Sequence, residues 1–350
     1  MNSRLVYDLS LEDWAELIEG WGEPAFRARQ IWSHLYRRLA SGPQAMSDLP
    51  PGLRSRLAET FDSWSLVPEL DLSSADGTTE KILFRLQDGK EIETVLMRYA
   101  RRRTVCLSTQ AGCGMGCSFC ATGQMGLMRN LTSGEIVAQV LHFARQLQGH
   151  SDRLTNLVVM GMGEPFHNYD ATMEAIDRLN DPTGFGFGAR RITVSTVGLV
   201  PMIERFTAER RQVNLAVSLH AATDALRSQL IPINRRYPLA ALREACLRYG
   251  EASSRRLTFE WVLIEGVNDG PEQAEALAEW AAGLTCHVNV IPLNPTRGYP
   301  GQPSSRQRVA VFREILMRHG IPCSVRVRRG LDIRAGCGQL ATDRPTPAAA

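Results

Sequence analysis

The chain has no apolar run long enough for a membrane helix, which excludes a helical span. Its opening stretch, Met1-Asn2-Ser3-Arg4-Leu5-Val6-Tyr7-Asp8, has no apolar h-region of a signal peptide. The expectation is a cytoplasmic protein with no membrane partner. A strong charge bias is missing too: the formal net charge of +3 prescribes no partner by itself. What the chain does have is cysteine. Eight cysteines in a reducing compartment point to chemistry before they point to staples. With 350 residues and an apolar fraction of 44%, the chain can build one large domain with a real core plus a small one.

Three cysteines crowd into Ala111-Gly112-Cys113-Gly114-Met115-Gly116-Cys117-Ser118-Phe119-Cys120, a C-x3-C-x2-C array interleaved with glycines. A metal centre and local disulfides are the competing explanations. Three thiols cannot pair among themselves, and loops this short strain a disulfide. A structural zinc wants four ligands, and nothing nearby completes that set. Three thiolates from one loop suit an iron–sulfur cluster with one iron left open for a ligand. The glycines let the loop curl so that backbone N–H groups point at the cluster. An inert cysteine cluster is the plainer alternative.

Residues 1–68 read as a helical accessory unit. Ser10 and Asp13 open an amphipathic helix carrying Leu11, Trp14, Leu17 and Ile18. A second helix follows Gly22-Glu23-Pro24, with Phe26, Ile31, Trp32, Leu35 and Tyr36 as its stripe, and a third spans Leu53 to Phe61. Arginines between the aromatics fit an RNA-binding unit or an ordinary bundle equally well. Residues 69–98 form a β-hairpin linker, turning at Asp88-Gly89. Residues 99–342 alternate strands and helices. Strands are expected at Thr104–Thr109, Asn156–Met160, Arg191–Ser195, Val213–Leu219, Leu257–Leu263 and His287–Ile291, with a late one at Cys323–Val327. Six βα repeats predict an α/β fold whose parallel sheet curls into a barrel or partial barrel. Residues 343–350 read as a frayed tail.

In such folds ligands bind at the carboxyl ends of the strands. There the sequence places the cysteine loop, Gly161-Met162-Gly163-Glu164-Pro165, Ser195-Thr196, Ser218-Leu219-His220 and Pro292-Leu293-Asn294-Pro295. The glycines allow a ligand close to the backbone, and Glu164 offers an acceptor for an ammonium group. Singly, each residue has an ordinary structural role as a turn former, a helix cap or a core histidine. Together they make a polar pocket suited to a zwitterionic, nucleoside-containing molecule. Arg98, Arg101, Arg102 and Arg103 precede the cysteine loop, and Arg326, Arg328 and Arg329 lie near the end. Both clusters suit phosphates or a solvated surface.

A strand-borne C-x3-C-x2-C, a Gly-Glu-Pro strand end and a partial barrel together resemble the radical S-adenosylmethionine (SAM) superfamily. Three stretches narrow the resemblance: Gln110 to Gln124, Leu230-Ile231-Pro232-Ile233-Asn234-Arg235-Arg236-Tyr237-Pro238-Leu239, and Ala335-Gly336-Cys337-Gly338-Gln339-Leu340. These are similar to the RlmN/Cfr family of rRNA adenine methyltransferases. The resemblance implies a partial (β/α)6 radical SAM barrel. It also implies a [4Fe–4S] cluster on Cys113, Cys117 and Cys120, with SAM on the fourth iron and cleaved there to a 5′-deoxyadenosyl radical.

The family's SAM-contacting positions match Gly163, Glu164, Ser195, Ser218, Leu219, His220 and Asn294. Cys337 matches the cysteine that takes a methyl group from one SAM, before a second SAM generates the radical. Cys106 matches the cysteine that resolves the protein–RNA adduct through a disulfide with Cys337. Without the resemblance, Cys106 would read as a small buried core residue. Glu93 matches the residue that takes the ring proton. Cys246, Cys286 and Cys323 keep the core reading.

The implied reaction methylates C2 of adenine 2503 in 23S rRNA, with C2 of adenine 37 in tRNA as a further substrate. C2 is electron-poor and does not attack SAM, whereas a carbon radical adds to it. A stacked adenine has to be extruded first, at a cost of a few kcal/mol. The implied partners are 23S rRNA, tRNA and a reductant such as flavodoxin or ferredoxin, acting on a monomer. Two alternatives stand beside this reading. One is the antibiotic-resistance branch, which methylates C8 of the same adenine; Gln110 and the Met115-Gly116 pair are closer to the C2 branch. The other is a non-catalytic RNA-binding protein with a structural metal centre.

Overall fold

The computed structural model describes residues 5–253 and 255–342. The tail at 343–350 and the first four residues used in the signal-peptide reading lie outside the described residues. Helices α1 (Leu11–Gly20), α2 (Phe26–Tyr36) and α3 (Pro51–Thr60) open the chain. Helix α1 starts at a reciprocal cap: Ser10 Oγ accepts from the Asp13 N–H at 3.0 Å, and Asp13 accepts from the Ser10 N–H at 2.8 Å. Of the expected stripes, Trp14, Ile18, Ile31, Trp32, Leu35 and Tyr36 are buried and Leu11 and Leu17 half-buried, whereas Phe26, in the first turn of α2, is exposed.

Strand β1 (Val67–Ser73) leads into the hairpin β2 (Thr79–Arg85) and β3 (Glu91–Arg98), with Leu83 opposite Glu93. Strand β4 (Arg103–Cys106) pairs antiparallel with β3, which sets Cys106 opposite Val95. The sequence suggested one strand running from Thr104 to Thr109, but the structure breaks it after Cys106. The Ser108 N–H goes to the Gln139 side chain at 2.9 Å and the Thr109 N–H to the Met162 carbonyl at 2.8 Å, so these amides leave the ladder. A separate two-stranded sheet, β5 (Gln110–Gly112) with β6 (Leu127–Asn130), then frames the cysteine loop and the short helix α4 (Ala121–Gln124).

The alternation continues with α5 (Ser133–Gly149), β7 (Asn156–Val159), α6 (Tyr169–Asn180), β8 (Ile192–Thr196), α7 (Val200–Ala208) and β9 (Asn214–Ser218). Helices α8 (Asp224–Leu230) and α9 (Leu239–Ser253) precede β10 (Leu257–Leu263). Helix α10 (Pro271–Trp280), β11 (Cys286–Pro292), α11 (Arg306–Arg318) and β12 (Cys323–Val325) complete it. The sheet order is β1-β2-β3-β4-β7-β8-β9-β10-β11-β12, with every neighbouring pair from β4 to β12 parallel. Strands β1 and β12 stand at opposite ends, so the barrel is partial, as expected. No helix among the described residues is long and apolar enough to cross a membrane.

The N-terminal helices dock on α5 and α6. Trp32 Nε1 donates to Asp181 at 2.7 Å, Arg178 donates to the Tyr7 carbonyl at 2.5 Å, and the Gly134 N–H at the start of α5 donates to Asp8 at 2.9 Å. A main core runs under the helices. A second apolar cluster, including Cys117, Phe119, Ile231, Val262, Ile264, Ile291 and Leu293, lies between the cysteine loop and β10–β11. That second cluster forms the floor of the site.

Candidate active site

The cysteine loop leaves β5 through a turn that only glycine fits. At Gly112, φ is +71° and an added Cβ would lie 1.9 Å from the Gly126 carbonyl oxygen. Cys113 and Cys117 are buried and Cys120 is half-buried. Burial pushes the Cys113 thiol up to about 12, and it raises Cys117 and Cys120 as well. Cys113 and Cys120 both add to the rise at Cys117, so the three sulfurs are close enough to repel one another as thiolates. Among the described residues, no three His, Cys, Asp or Glu side chains are set to hold a single metal ion. An iron–sulfur cluster makes a different demand, because each thiolate takes its own iron. Buried, mutually repelling thiols that need a cationic centre to displace their protons fit such a group.

Beside the loop lies a cavity of about 140 Å³ at the carboxyl ends of the parallel strands. Cys117 and Cys120 line it, with Gly163, Glu164, Ser195, Ser218, His220 and Asn294. The positions that the resemblance assigns to SAM therefore line one cavity, with one exception. The Leu219 side chain is fully buried and does not line the cavity. Its backbone is used instead: the N–H donates to the Glu260 carbonyl at 3.0 Å, and the carbonyl accepts from buried Arg227 at 3.0 Å.

Glu164 is 3% exposed, and both its oxygens accept backbone N–H groups, from Phe166 at 3.0 Å and Val197 at 2.9 Å. Burial nevertheless raises its carboxyl to about 7, against the lowering by those hydrogen bonds. The Gly-Glu-Pro turn is shaped by Gln110, whose Oε1 accepts the Glu164 N–H at 2.9 Å. At Gly163, φ is +102° and a Cβ would lie 2.6 Å from the Gln110 Cβ. This glycine thus makes room for the chain itself as well as for a ligand. Ser195 and Ser218 place their hydroxyls 3.3 Å apart.

His220 has φ +59°, packs edge-on to Phe119 with ring centres 4.9 Å apart, and accepts the Val262 N–H on Nδ1 at 2.9 Å. Burial drives its pKa down to about 3, so it is a neutral ring. Asn294 donates to the Cys337 carbonyl at 3.0 Å, while its Oδ1 is buried with no partner among the described residues. That open acceptor, on a residue that lines the same cavity as the Glu164 carboxylate and two hydroxyls, fits an amino-acid and ribose-bearing cofactor such as SAM.

A second cavity, of about 100 Å³, is lined by Cys106, Val95, Met97, Tyr99 and Thr122. Cys120, Met160, Gly161, Ile291, Asn294, Arg326, Cys337 and Gly338 line both cavities. Cys337 therefore stands on the partition between them. Its loop is tethered rather than free. The Ala121 N–H donates to the Gly338 carbonyl at 2.8 Å, Thr122 donates to the Leu340 carbonyl at 2.5 Å, and Gln339 donates to the Pro295 carbonyl at 2.9 Å. At Gly338 φ is +81°, and a Cβ on Gly336 would lie 2.7 Å from Asn294 Nδ2. The flanking glycines thus serve close packing on the partition more than mobility.

Cys106 is buried, and its thiol is pushed up to about 12, first by burial and then by the nearby Cys337. The disulfide implied for this pair is not formed in the structure: all eight cysteines are free. Apolar packing around Cys106 keeps the protonated thiol as the resting form. Glu93 lines neither cavity. It is 1% exposed, with Lys81 Nζ 2.6 Å from Oε1 and the Ala341 N–H donating to Oε2 at 2.9 Å.

Sequence reasoning missed three residues. Arg326 was grouped with Arg328 and Arg329 as a cluster for phosphates or a solvated surface, yet its Nη1 donates to Cys337 Sγ at 2.9 Å. Lys81 was part of a strand pattern and proves to be the buried partner of Glu93. Arg227 was not singled out; it is fully buried and ties the carbonyls of Val197 and Leu219 to the side chain of Asn234. The one available signal was Asn234, inside the Leu230–Leu239 motif.

Residues 107–281 match the family model of the radical SAM superfamily, and residues 6–62 match that of the ribosomal RNA large subunit methyltransferase N-terminal domain. The chain is 53% identical to the probable dual-specificity RNA methyltransferase RlmN of Chloroflexus aurantiacus, over 99% of this chain and 95% of that one. It is 51% identical to the dual-specificity RNA methyltransferase RlmN 1 of Myxococcus xanthus, over 96% and 93%. The crystal structure of a radical SAM methyltransferase from Sphaerobacter thermophilus superposes with a TM-score of 0.95 at 53% identity, covering 97% of this chain and 99% of that one.

Proposed function

Since the chain belongs to the RlmN/Cfr family of radical SAM RNA methyltransferases, we propose that it methylates C2 of adenine 2503 in 23S rRNA and C2 of adenine 37 in tRNA. The observation that carries this reading is the position of Cys337 on the wall common to two cavities. The cavity beside Cys113, Cys117 and Cys120 would take SAM, and the one containing Cys106 would take the adenine. A carbon that has to pass from SAM to a base, and cannot do so directly, is best relayed by a sulfur that both can reach.

When bound, a [4Fe–4S] cluster and SAM supply one-electron cleavage chemistry. The protein's own residues do the rest. Cys113, Cys117 and Cys120 would hold the cluster. Glu164 would receive the SAM ammonium. Asn294 Oδ1, Ser195 and Ser218 would take its remaining polar groups, and His220, a neutral ring, would pack beside it. Cys337 would accept the methyl carbon on sulfur and present it to the base. Cys106, in the same cavity, would free the product from Cys337. Glu93 would take the ring proton once the segment around Ala341 has lifted off its carboxylate. A small redox protein such as flavodoxin or ferredoxin would act as the electron donor, and the enzyme would work as a monomer.

Nucleoside mass spectrometry of rRNA and tRNA from cells with and without this protein tests the reading. The expected result is 2-methyladenosine in both RNAs only when the protein is present. The same base methylated at C8 would support the resistance branch instead, and an unchanged nucleoside profile would leave RNA binding without catalysis.

A further inference from the structure

We infer that Arg326 is a further catalytic residue, whose guanidinium holds the charge on the Cys337 sulfur while that sulfur takes the methyl group. This inference rests on the proposed function, because it concerns the same acceptor cysteine. Its basis is geometric. Arg326 follows β12 directly, and its own N–H donates to the Val290 carbonyl on β11 at 2.8 Å, which fixes where the side chain starts. Val327, next to it, is 72% exposed, while Arg326 turns inward between the two cavities. Nη1 donates to Cys337 Sγ at 2.9 Å, and Nη2 lies 4.0 Å from the Met160 sulfur. The Cys337 carbonyl is held independently by Asn294, so the thiol is fixed from both ends.

The surroundings bear this out. The guanidinium's protonated form is favoured first by Cys337 and then by Glu260, so it stays a cation next to the sulfur. Glu260 is buried and already accepts from Asn289 at 2.8 Å. In the reaction the sulfur attacks as its anion. An S–CH3 bond forms as the methyl–sulfonium bond of SAM breaks, and S-adenosylhomocysteine leaves with the bonding pair. The anion and the sulfonium cancel, and the proton first lost from the thiol goes to solvent. The Nη1 donor 2.9 Å from Sγ is placed to offset the charge on the sulfur as it attacks.

Alkylation tests this without relying on turnover. The cluster-loaded protein, free of SAM, is treated with iodoacetamide, and the rate at Cys337 is read by peptide mass spectrometry. Arg326→Gln is expected to slow alkylation by about tenfold or more, and Arg326→Lys, which keeps a cation, to retain most of the rate. An Arg326 that only packed the loop would give the opposite sign, since its loss would open Cys337 and speed alkylation. An unchanged or faster rate in Arg326→Gln overturns the inference. Cys246 is fully buried, so its alkylation reports unfolding. If the Gln variant unfolds, the comparison of Arg326→Met with Arg326→Lys carries the same test. Methyl-labelled SAM given to the unaltered enzyme tests the parent reading separately. If no label reaches Cys337, the proposed function falls, whatever the alkylation rates.

Discussion

At the scale of single residues, the site depends on groups held in unusual states by burial. Glu164 is the clearest case. Its carboxyl, ordinarily at 4.5, sits at about 7, so the fold favours the neutral acid. An empty site therefore loses stability as pH rises from about 4.5 through 7. A ligand ammonium favours the carboxylate, which reverses the preference. SAM binding measured by equilibrium titration is expected to tighten as pH rises through about 7, and Glu164→Gln should bind more weakly with a flat profile. A profile unchanged by that substitution would remove Glu164 from the ammonium site. Gly163 makes a second demand. Its φ of +102° and the crowding against Gln110 predict that Gly163→Ala loses about 1–3 kcal/mol, measurable by denaturant unfolding. That the cysteine loop, Glu164 and Asn294 would meet at one cavity was legible in the sequence because the spacing of a motif and the end of a strand are both one-dimensional facts. Arg326, Lys81 and Arg227 were not. Which way a side chain turns after a strand, and which residue 253 positions away it then meets, as Lys81 meets the Arg334 carbonyl, is decided by packing.

At the scale of elements, the βα alternation was readable because each parallel strand is a short apolar run between amphipathic helices. Strand β10 matches its expected limits, and most other edges differ by one or two residues. The break after β4 was hidden, because it depends on Gln139 of α5 reaching across to Ser108. The most consequential element is the loop at 334–341. Its glycines do not leave it loose, because Ala121, Thr122, Asn294 and Glu93 all hold it. Removing tethers should show this. Thr122→Val combined with Asn294→Ala is expected to raise amide hydrogen exchange across 334–341 by about tenfold, the equivalent of roughly one hydrogen bond, while α5 and β10 stay protected. Exchange confined to its original rate would mean that the tethers do not hold the loop.

At the scale of the whole molecule, the partial barrel sets its two cavities on the strand-end side, under a basic rim. Arg101, Arg102 and Arg328 are exposed, and Arg102 and Arg329 stack on Tyr99, which lines the Cys337 cavity. This arrangement suits phosphates flanking an extruded base. RNA affinity is expected to fall as salt rises. Replacing Arg101, Arg102 and Arg328 together should reduce the log–log salt slope by about 2–3, measured by filter binding across a salt series. An unaltered slope would move the RNA contact elsewhere, with the arginine-bearing N-terminal helices as the next surface to test. The net charge of +3 disclosed none of this, since a sum over the whole chain does not say where the arginines gather.

The central claim is that the transferred carbon travels on Cys337. The direct measurement is peptide mass spectrometry of the cluster-loaded enzyme after exposure to methyl-labelled SAM without RNA, followed by a chase with unlabelled SAM and substrate RNA. The account predicts label on the Cys337 peptide, its passage into the adenine during the chase, and no transfer by Cys337→Ala. Label reaching RNA in the Cys337→Ala enzyme at the rate of the unaltered one would contradict it.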